Sequence, residues 1–286
     1  MRILVTGFGG FPGAPRNPTE RIIANLARHR PRLARAGLEL DLSVLPVVYA
    51  EIEPRLEALT REAAPDAILH FGLASRRSKL CVETRAFNRI SLLRPDAAGA
   101  FAQRRLLLAG GSQTGVDGVQ VPSDEGRRVP SGEGQALAGG SQPLTGRDQM
   151  DPIRAGRPQS PRGAAQSLKS SAPAGLIAAR LRRGGFHAAV SIDAGDYVCN
   201  QTLFLSLSCH PNALVGFIHV PPLASLRPQS SLAAPRRLRR VDEADRPGNT
   251  LIRGGGRLTL DEAVRAAVLA ILALIPKLQS RRLSRR

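Results

Sequence analysis

Cysteine is scarce in this 286-residue sequence and odd in number, with only Cys81, Cys199 and Cys209 and no Cys-x-x-Cys pair. That excludes a disulfide framework and a zinc ribbon, and reduced thiols suit the cytoplasm. Aromatic side chains are few, with no Trp, two Tyr and eight Phe, so the base-stacking surface used by single-strand binders is lacking. Lysine is nearly absent, and the net charge of +18 is therefore almost all arginine, set among abundant Ala, Gly and Pro. This reads as a coding bias, and specific nucleic-acid binding is not expected. The densest basic clusters, 236–240 and 277–286, read as a solvated loop and a tail. Long apolar runs are missing too. The longest, Ala266 to Ile275, stops at Pro276, short of what a bilayer requires. Met1-Arg2 runs straight into Ile3-Leu4-Val5 with no leader-like apolar region or cleavage site, so a cytoplasmic protein with no membrane partner is expected.

What is present is enough for a sizeable core, since 42% of residues are hydrophobic and the length suits one large domain or two small ones. Arg2–Thr6 reads as a strand and Gly7–Arg16 as a Gly/Pro loop. Asn17-Pro18-Thr19-Glu20 has the form of a helix start, with Asn17 as N-cap and Pro at the first position. Leu38–Val48 reads as a second strand, Glu51–Ala63 as a helix and Asp66–Gly72 as a third, apolar strand. The order β-α-β-α-β predicts an α/β fold: a three-layer helix-sheet-helix sandwich around a mainly parallel or mixed sheet.

The periodicity stops near Gly99 and returns near Ser170. Between them Gly, Ser, Gln, Pro and Arg dominate, and Leu-Ala-Gly-Gly-Ser-Gln occurs at 108–113 and again at 137–142. Residues 102–165 are expected to be a disordered or loosely packed insertion, dividing one domain into 1–101 and 166–276. A helix is expected at Ala174–Arg183, closed by Gly184-Gly185 in a left-handed cap. Strands are expected at Ala188–Ile192 and Ala213–Val220, with a helix starting near Tyr197 between them. Thr259-Leu260-Asp261-Glu262 reads as a capping box opening a last helix whose Val264, Val268, Ile271 and Ile275 face inward.

Three residues could carry chemistry together. Cys199 lies at the start of a helix that follows a strand and a Gly turn, where unpaired N–H groups favour a thiolate and are expected to lower the thiol pKa. Alone, it reads equally as a small buried hydrophobe. His219 closes the apolar strand Val215-Gly216-Phe217-Ile218, at the sheet edge where ligands bind in α/β folds. Glu83, after the third strand, would be an ordinary surface carboxylate by itself. As a set they have the logic of nucleophile, base and orienting carboxylate.

The segment Asp193-Ala194-Gly195-Asp196-Tyr197-Val198-Cys199-Asn200 closely resembles the sequence around the nucleophile of the pyroglutamyl-peptidase I (pyrrolidone-carboxylate peptidase) family. Gly216-Phe217-Ile218-His219-Val220-Pro221 is similar to that family's histidine motif. Val5-Thr6-Gly7-Phe8, with Phe11 and Asn17-Pro18 behind it, resembles its N-terminal loop, and His70-Phe71-Gly72-Leu73-Ala74, Arg77 and Glu83 resemble its glutamate segment. The resemblance implies a cysteine peptidase that releases N-terminal pyroglutamate without a cofactor or metal, with a tendency to form homo-oligomers. It implies that Cys199, His219 and Glu83 are catalytic and that Phe8 and Phe11 sandwich the pyroglutamyl ring. Asn17 would hold the loop or the lactam, unless it is only the helix cap. The chain departs from the pattern at Leu73, where Gln is common, and at Val47, where Thr is common.

Two other classes compete. An inactive or binding-only relative would explain the altered pocket and the insertion, although keeping Cys199, His219 and Glu83 in matching contexts argues against it. The start Gly7-Phe8-Gly9-Gly10-Phe11-Pro12-Gly13 also looks like the phosphate loop of an NAD-dependent epimerase or dehydrogenase. Such a loop should run directly into a helix, but Pro12, Pro15 and Pro18 delay it. Nor is there a Tyr-x-x-x-Lys pair, because Tyr49 and Tyr197 are followed at that spacing by Glu53 and Gln201. No Gly-x-Ser-x-Gly elbow supports a serine hydrolase.

Overall fold

Alternation along each strand decides which core layer its residues serve. The computed structural model describes residues 1–103, 107, 166–224 and 257–284, all within the compact unit Met1–Leu108 and Ala165–Arg286. In chain order, β1 (Arg2–Phe8) leads to α1 (Pro18–Leu26), α2 (Arg30–Arg35), β2 (Glu39–Leu45), α3 (Tyr49–Ala63) and β3 (Ala67–Leu73). Then come β4 (Leu80–Glu83), β5 (Arg85–Phe87), β6 (Ser167–Lys169), α4 (Ala174–Arg183), β7 (Ala188–Ser191), α5 (Val198–Cys209), β8 (Leu214–Val220), α6 (Leu260–Leu272) and α7 (Ile275–Leu283). Six strands make one sheet in the order β2-β1-β3-β8-β4-β7. It is mixed: β2, β1, β3 and β8 are mutually parallel, β4 runs antiparallel to β8, and β7 is parallel to β4. β5 and β6 form a separate antiparallel ribbon.

Helices cover both faces. Ile3, Val5, Ala67, Leu69, Leu214 and Ile218 pack with α1, α2, α4 and α6, whereas Leu4, Phe8, Ile68, Val215 and Phe217 pack with α3 and α5. α1 begins as expected, with the Asn17 carboxamide oxygen accepting the Thr19 N–H, and the Thr259–Glu262 capping box opens α6. α5 is buried on most of its circumference, as befits a helix packed on the sheet and under neighbouring segments.

Several expectations need correction. β1 continues through Phe8 because Gly7 and Phe8 pair with Val44 and Leu45. The left-handed residue after α4 is Gly185, at φ +84°, and Gly184 has φ −78°. Three strands escaped notice: β4, β5 and β6 are only four, three and three residues long and exist through pairing with distant partners. The expected basic tail is helical through Leu283, because Leu278 inserts into the core and holds α7 down. Leu260–Leu283 is thus long and apolar enough to cross a membrane by length and composition, yet over half of its apolar 18-residue window is buried against the rest of the fold. Of the expected insertion, Ala102 and Leu107 rest on the α3/α5 core and the Leu107 N–H donates to Asn88; the remainder, apart from Gln103, lies outside the described residues, as does the 236–240 cluster.

One buried polar group gives the fold a pH dependence. His70, fully buried on β3, bonds Thr6 Oγ1 through Nδ1 (2.7 Å) and Ser206 Oγ through Nε2 (2.9 Å), tying β1, β3 and α5 together. Burial, with a smaller contribution from His210, pushes its pKa down from 6.5 to about 3. Above pH 6.5 the imidazole is neutral in both folded and unfolded chains. Below it the unfolded chain takes up a proton that the folded chain refuses, so stability falls as the pH drops toward 3, by up to about 1.4 kcal/mol per pH unit. Urea unfolding at pH 6.5 and 4.5 should show a loss roughly 2–3 kcal/mol greater than in His70→Gln. Equal losses in the two proteins would rule out this origin.

Candidate active site

The same alternation brings distant residues to one sheet face. Gly72 on β3 is in register with His219 on β8, and Phe217 pairs across β8 with Glu83 on β4. In-register neighbours point the same way, so Gly72, Phe217, His219 and Glu83 all face the layer containing α5. Cys199 is the second residue of α5. A Cβ placed on Gly72 would lie 2.9 Å from Cys199 Sγ and 2.6 Å from the Phe217 ring. Only glycine lets the thiol settle on the sheet at the register of His219.

His219 Nδ1 lies 2.7 Å from Glu83 Oε1. A carboxylate can only accept, so Nδ1 carries the hydrogen and Nε2 is left as the basic nitrogen. The Phe217 ring, 4.8 Å away between centroids, backs the imidazole. Glu83 is fully buried, and its Oε1 also accepts from Arg77 Nη1 at 2.9 Å, while Arg77 Nη2 donates to the Asp193 carbonyl at 3.0 Å. Arg77 thus compensates the buried carboxylate and ties it to the turn that precedes α5. In that turn the Gly195 N–H donates to Asp193 Oδ1 (2.8 Å) with Gly195 at φ +89°, a conformation glycine adopts without strain.

The cleft over these groups has a volume of about 640 Å³ and is lined by Phe11–Gly13, Leu73–Arg77, Arg94–Asp96, Asp193–Tyr197, Cys199 and His219. Phe11 is held there by a tight turn in which its N–H and carbonyl exchange bonds with Ala14. Its ring is 6.3 Å from Tyr197, which stands edge-on to Tyr49 at 5.5 Å. The two tyrosine hydroxyls donate to the Pro95 and Arg94 carbonyls, and buried Asp96 accepts the Tyr49, Ala98 and Ala100 N–H groups, so this wall of the cleft is fixed.

A profile of the pyroglutamyl peptidase family matches residues 1–112 and 147–235. The pyrrolidone-carboxylate peptidase of Pyrococcus furiosus is 30% identical over 227 residues, covering 77% of this chain and 81% of that protein. The chain belongs to the pyroglutamyl peptidase family. Its Streptococcus suis relative of the same name is 28% identical over 225 residues, covering 77% of this chain and 78% of that protein. Among solved structures, the pyrrolidone carboxyl peptidase of Thermus thermophilus superposes with a TM-score of 0.60 at 26% identity, covering 94% of this chain and 98% of that one. The Thermococcus litoralis enzyme shares the fold at a TM-score of 0.62 and 21% identity, covering 98% and 95%.

Within this pyroglutamyl peptidase fold, the residues singled out from sequence divide into two groups. Cys199, His219, Leu73 and Phe11 meet at the cleft, with Glu83 directly behind His219. Phe8, Val47 and Asn17 do not line it. Phe8 is 2% exposed and packs at 6.2 Å on Phe217 beneath the sheet surface, because its place on β1 turns it toward the α3/α5 core. The ring beside Phe11 is that of Tyr197, at 6.3 Å. Val47 belongs to the same core. Asn17 caps α1 and donates to the Gly9 carbonyl at 3.0 Å, so it shapes the loop rather than the cleft floor.

The thiol also differs from expectation. Burial first, then the negative charge of Glu83, raises the Cys199 pKa well above that of a free thiol; the N–H at the start of α5 acts the other way and is outweighed. Sequence reasoning assigned no role to Arg77, Tyr197 or Asn200, although each lay inside a quoted motif. Asn200 is fully buried: its Oδ1 accepts the Phe87 N–H, and its Nδ2 donates to the Phe87 and Arg89 carbonyls. It thereby fastens the β5 segment to α5 beside the cysteine. A carboxamide next to a helix start signals such bridging only once the opposing strand is known.

Proposed function

We propose that this chain is a cysteine peptidase that removes an N-terminal pyroglutamyl residue from peptides through an acyl-enzyme. The observation that carries the reading is the 2.7 Å contact of Glu83 with His219 Nδ1, at the register where Cys199 Sγ rests on Gly72. Because burial and Glu83 hold the thiol protonated, attack must be coupled to transfer of its proton to His219 Nε2. The sulfur–carbon bond forms, and the resulting oxyanion is stabilised by N–H groups in the first turn of α5 that have no helical partner. On collapse the carbon–nitrogen bond breaks, and His219 returns the proton to the leaving amine. Water, deprotonated by the same nitrogen, then releases pyroglutamate and the thiol.

Phe11 and Tyr197 provide flat faces for a neutral lactam. The ammonium of an ordinary N-terminus would be desolvated there at a cost of several kcal/mol. Leu73 adds apolar surface without a hydrogen bond to the ring. The three cysteines are free, and we place the activity in the cytoplasm. The test is turnover of pyroglutamyl, glutaminyl, prolyl and alanyl chromogenic amides under reducing conditions. The pyroglutamyl amide should be preferred by at least about a hundredfold, and Phe11→Ala should raise its KM. Equal turnover of prolyl and pyroglutamyl amides would refute lactam recognition, and no turnover of any would favour a binding-only relative.

A further inference from the structure

We infer that the cleft extends into a cationic subsite, formed by Arg76 and Lys79, that selects acidic residues immediately after the pyroglutamyl group. This rests on the peptidase reading and adds a substrate preference to it. A second groove, of about 490 Å³, is lined by Arg76–Lys79, Cys81 and Ala189–Ile192 and shares Arg76 and Arg77 with the main cleft. The sheet order gives the path its direction. Phe11 follows β1, Leu73 ends β3, His219 is the penultimate residue of β8, and Cys81 and Val190 lie on β4 and the edge strand β7, on the other side of β8. A peptide with its lactam against Phe11 and its cut bond at Cys199 therefore leaves toward β4 and β7, past Arg76 and Lys79.

The charges along that path are unbalanced. Asp193 pairs with Arg89, Asp196 with Arg94, and Glu83 with Arg77 and His219, while Asp96 is occupied by backbone N–H groups. Arg76 and Lys79 are exposed, and among the described residues neither forms an ion pair. Beside them Val190 and Ile192, 46% and 73% exposed at the outer edge of the sheet, offer apolar contact to side-chain stems. Two unpaired cations on a shared wall favour carboxylates and repel lysine or arginine.

The experiment compares peptides identical except for Glu, Gln or Lys after the pyroglutamyl residue, read as kcat/KM with wild type and as Kd with Cys199→Ala. The Glu peptide should exceed the Lys peptide about three- to tenfold, mainly through KM or Kd, with Gln between them. Raising salt to 0.5 M should largely abolish the difference. In Arg76→Glu and in Lys79→Glu the Glu-to-Lys ratio should fall, and in the double variant it should invert. Equal values for the three peptides, or a ratio unmoved by both substitutions, would overturn the subsite. If no pyroglutamyl peptide is cleaved, the peptidase reading falls, and the order of Kd values still decides the subsite.

Discussion

Cys199→Ala is expected to lower turnover of a pyroglutamyl amide by about 10⁴-fold or more, because no other sulfur can take its place. Cys81 is buried on β4 with its Sγ 3.6 Å from the Lys79 carbonyl, and Cys209 is exposed at the far end of α5. Cys81→Ala and Cys209→Ala should therefore retain most activity. Iodoacetamide should inactivate the protein in proportion to labelling at Cys199, whereas labelling at exposed Cys209 should leave turnover in place. Since Cys199 is held as a thiol, its alkylation should accelerate as the pH rises above neutrality. Mass mapping of the label against residual activity checks this. Inactivation that tracks Cys81 or Cys209 would remove Cys199 from its role.

Glu83→Gln carries the second largest expected effect and separates two consequences of one carboxylate. The amide can no longer compensate a cationic His219 or hold its Nδ1 hydrogen unambiguously, so kcat should fall about 10³- to 10⁴-fold with little change in KM. The Glu83 charge is also the second cause of the raised Cys199 pKa. Its removal should move the pH dependence of Cys199 alkylation downward. A thiol that ionises more readily in an enzyme that turns over more slowly is a result that general loss of folding would not produce. Loss of kcat below about fivefold, or an unshifted alkylation profile, would show that Glu83 does not act through His219 and the thiol.

Much of the frame was legible because it rests on local signals. Asn17-Pro18 marks the start of α1, Thr259 and Glu262 mark that of α6, and the apolar runs of β3 and β8 need no partner to be recognised as strands. The cysteine and histidine were legible through the motifs around them. The placement of Phe8 was not legible, because a residue at the end of a strand can turn into a cleft or under the sheet, and the choice depends on alternation within β1 and on the Phe217 ring waiting below. Arg77 was in view but silent, since its two partners, Glu83 and the Asp193 carbonyl, come from separate parts of the chain.

By itself the sequence determined the α/β class and the family, and it offered Cys199, His219 and Glu83 as a candidate set. These follow from periodicity, caps and local motifs, which are properties of neighbours in the chain. Tertiary structure decided that β4 enters the sheet antiparallel between β8 and β7, which aligns Glu83 with Phe217 and brings its carboxylate to His219. It also decided that Phe11 faces Tyr197 and that the Cys199 thiol is raised rather than lowered. Register and burial are set by residues far away in the chain, and the energy of a charge depends on what surrounds it in space.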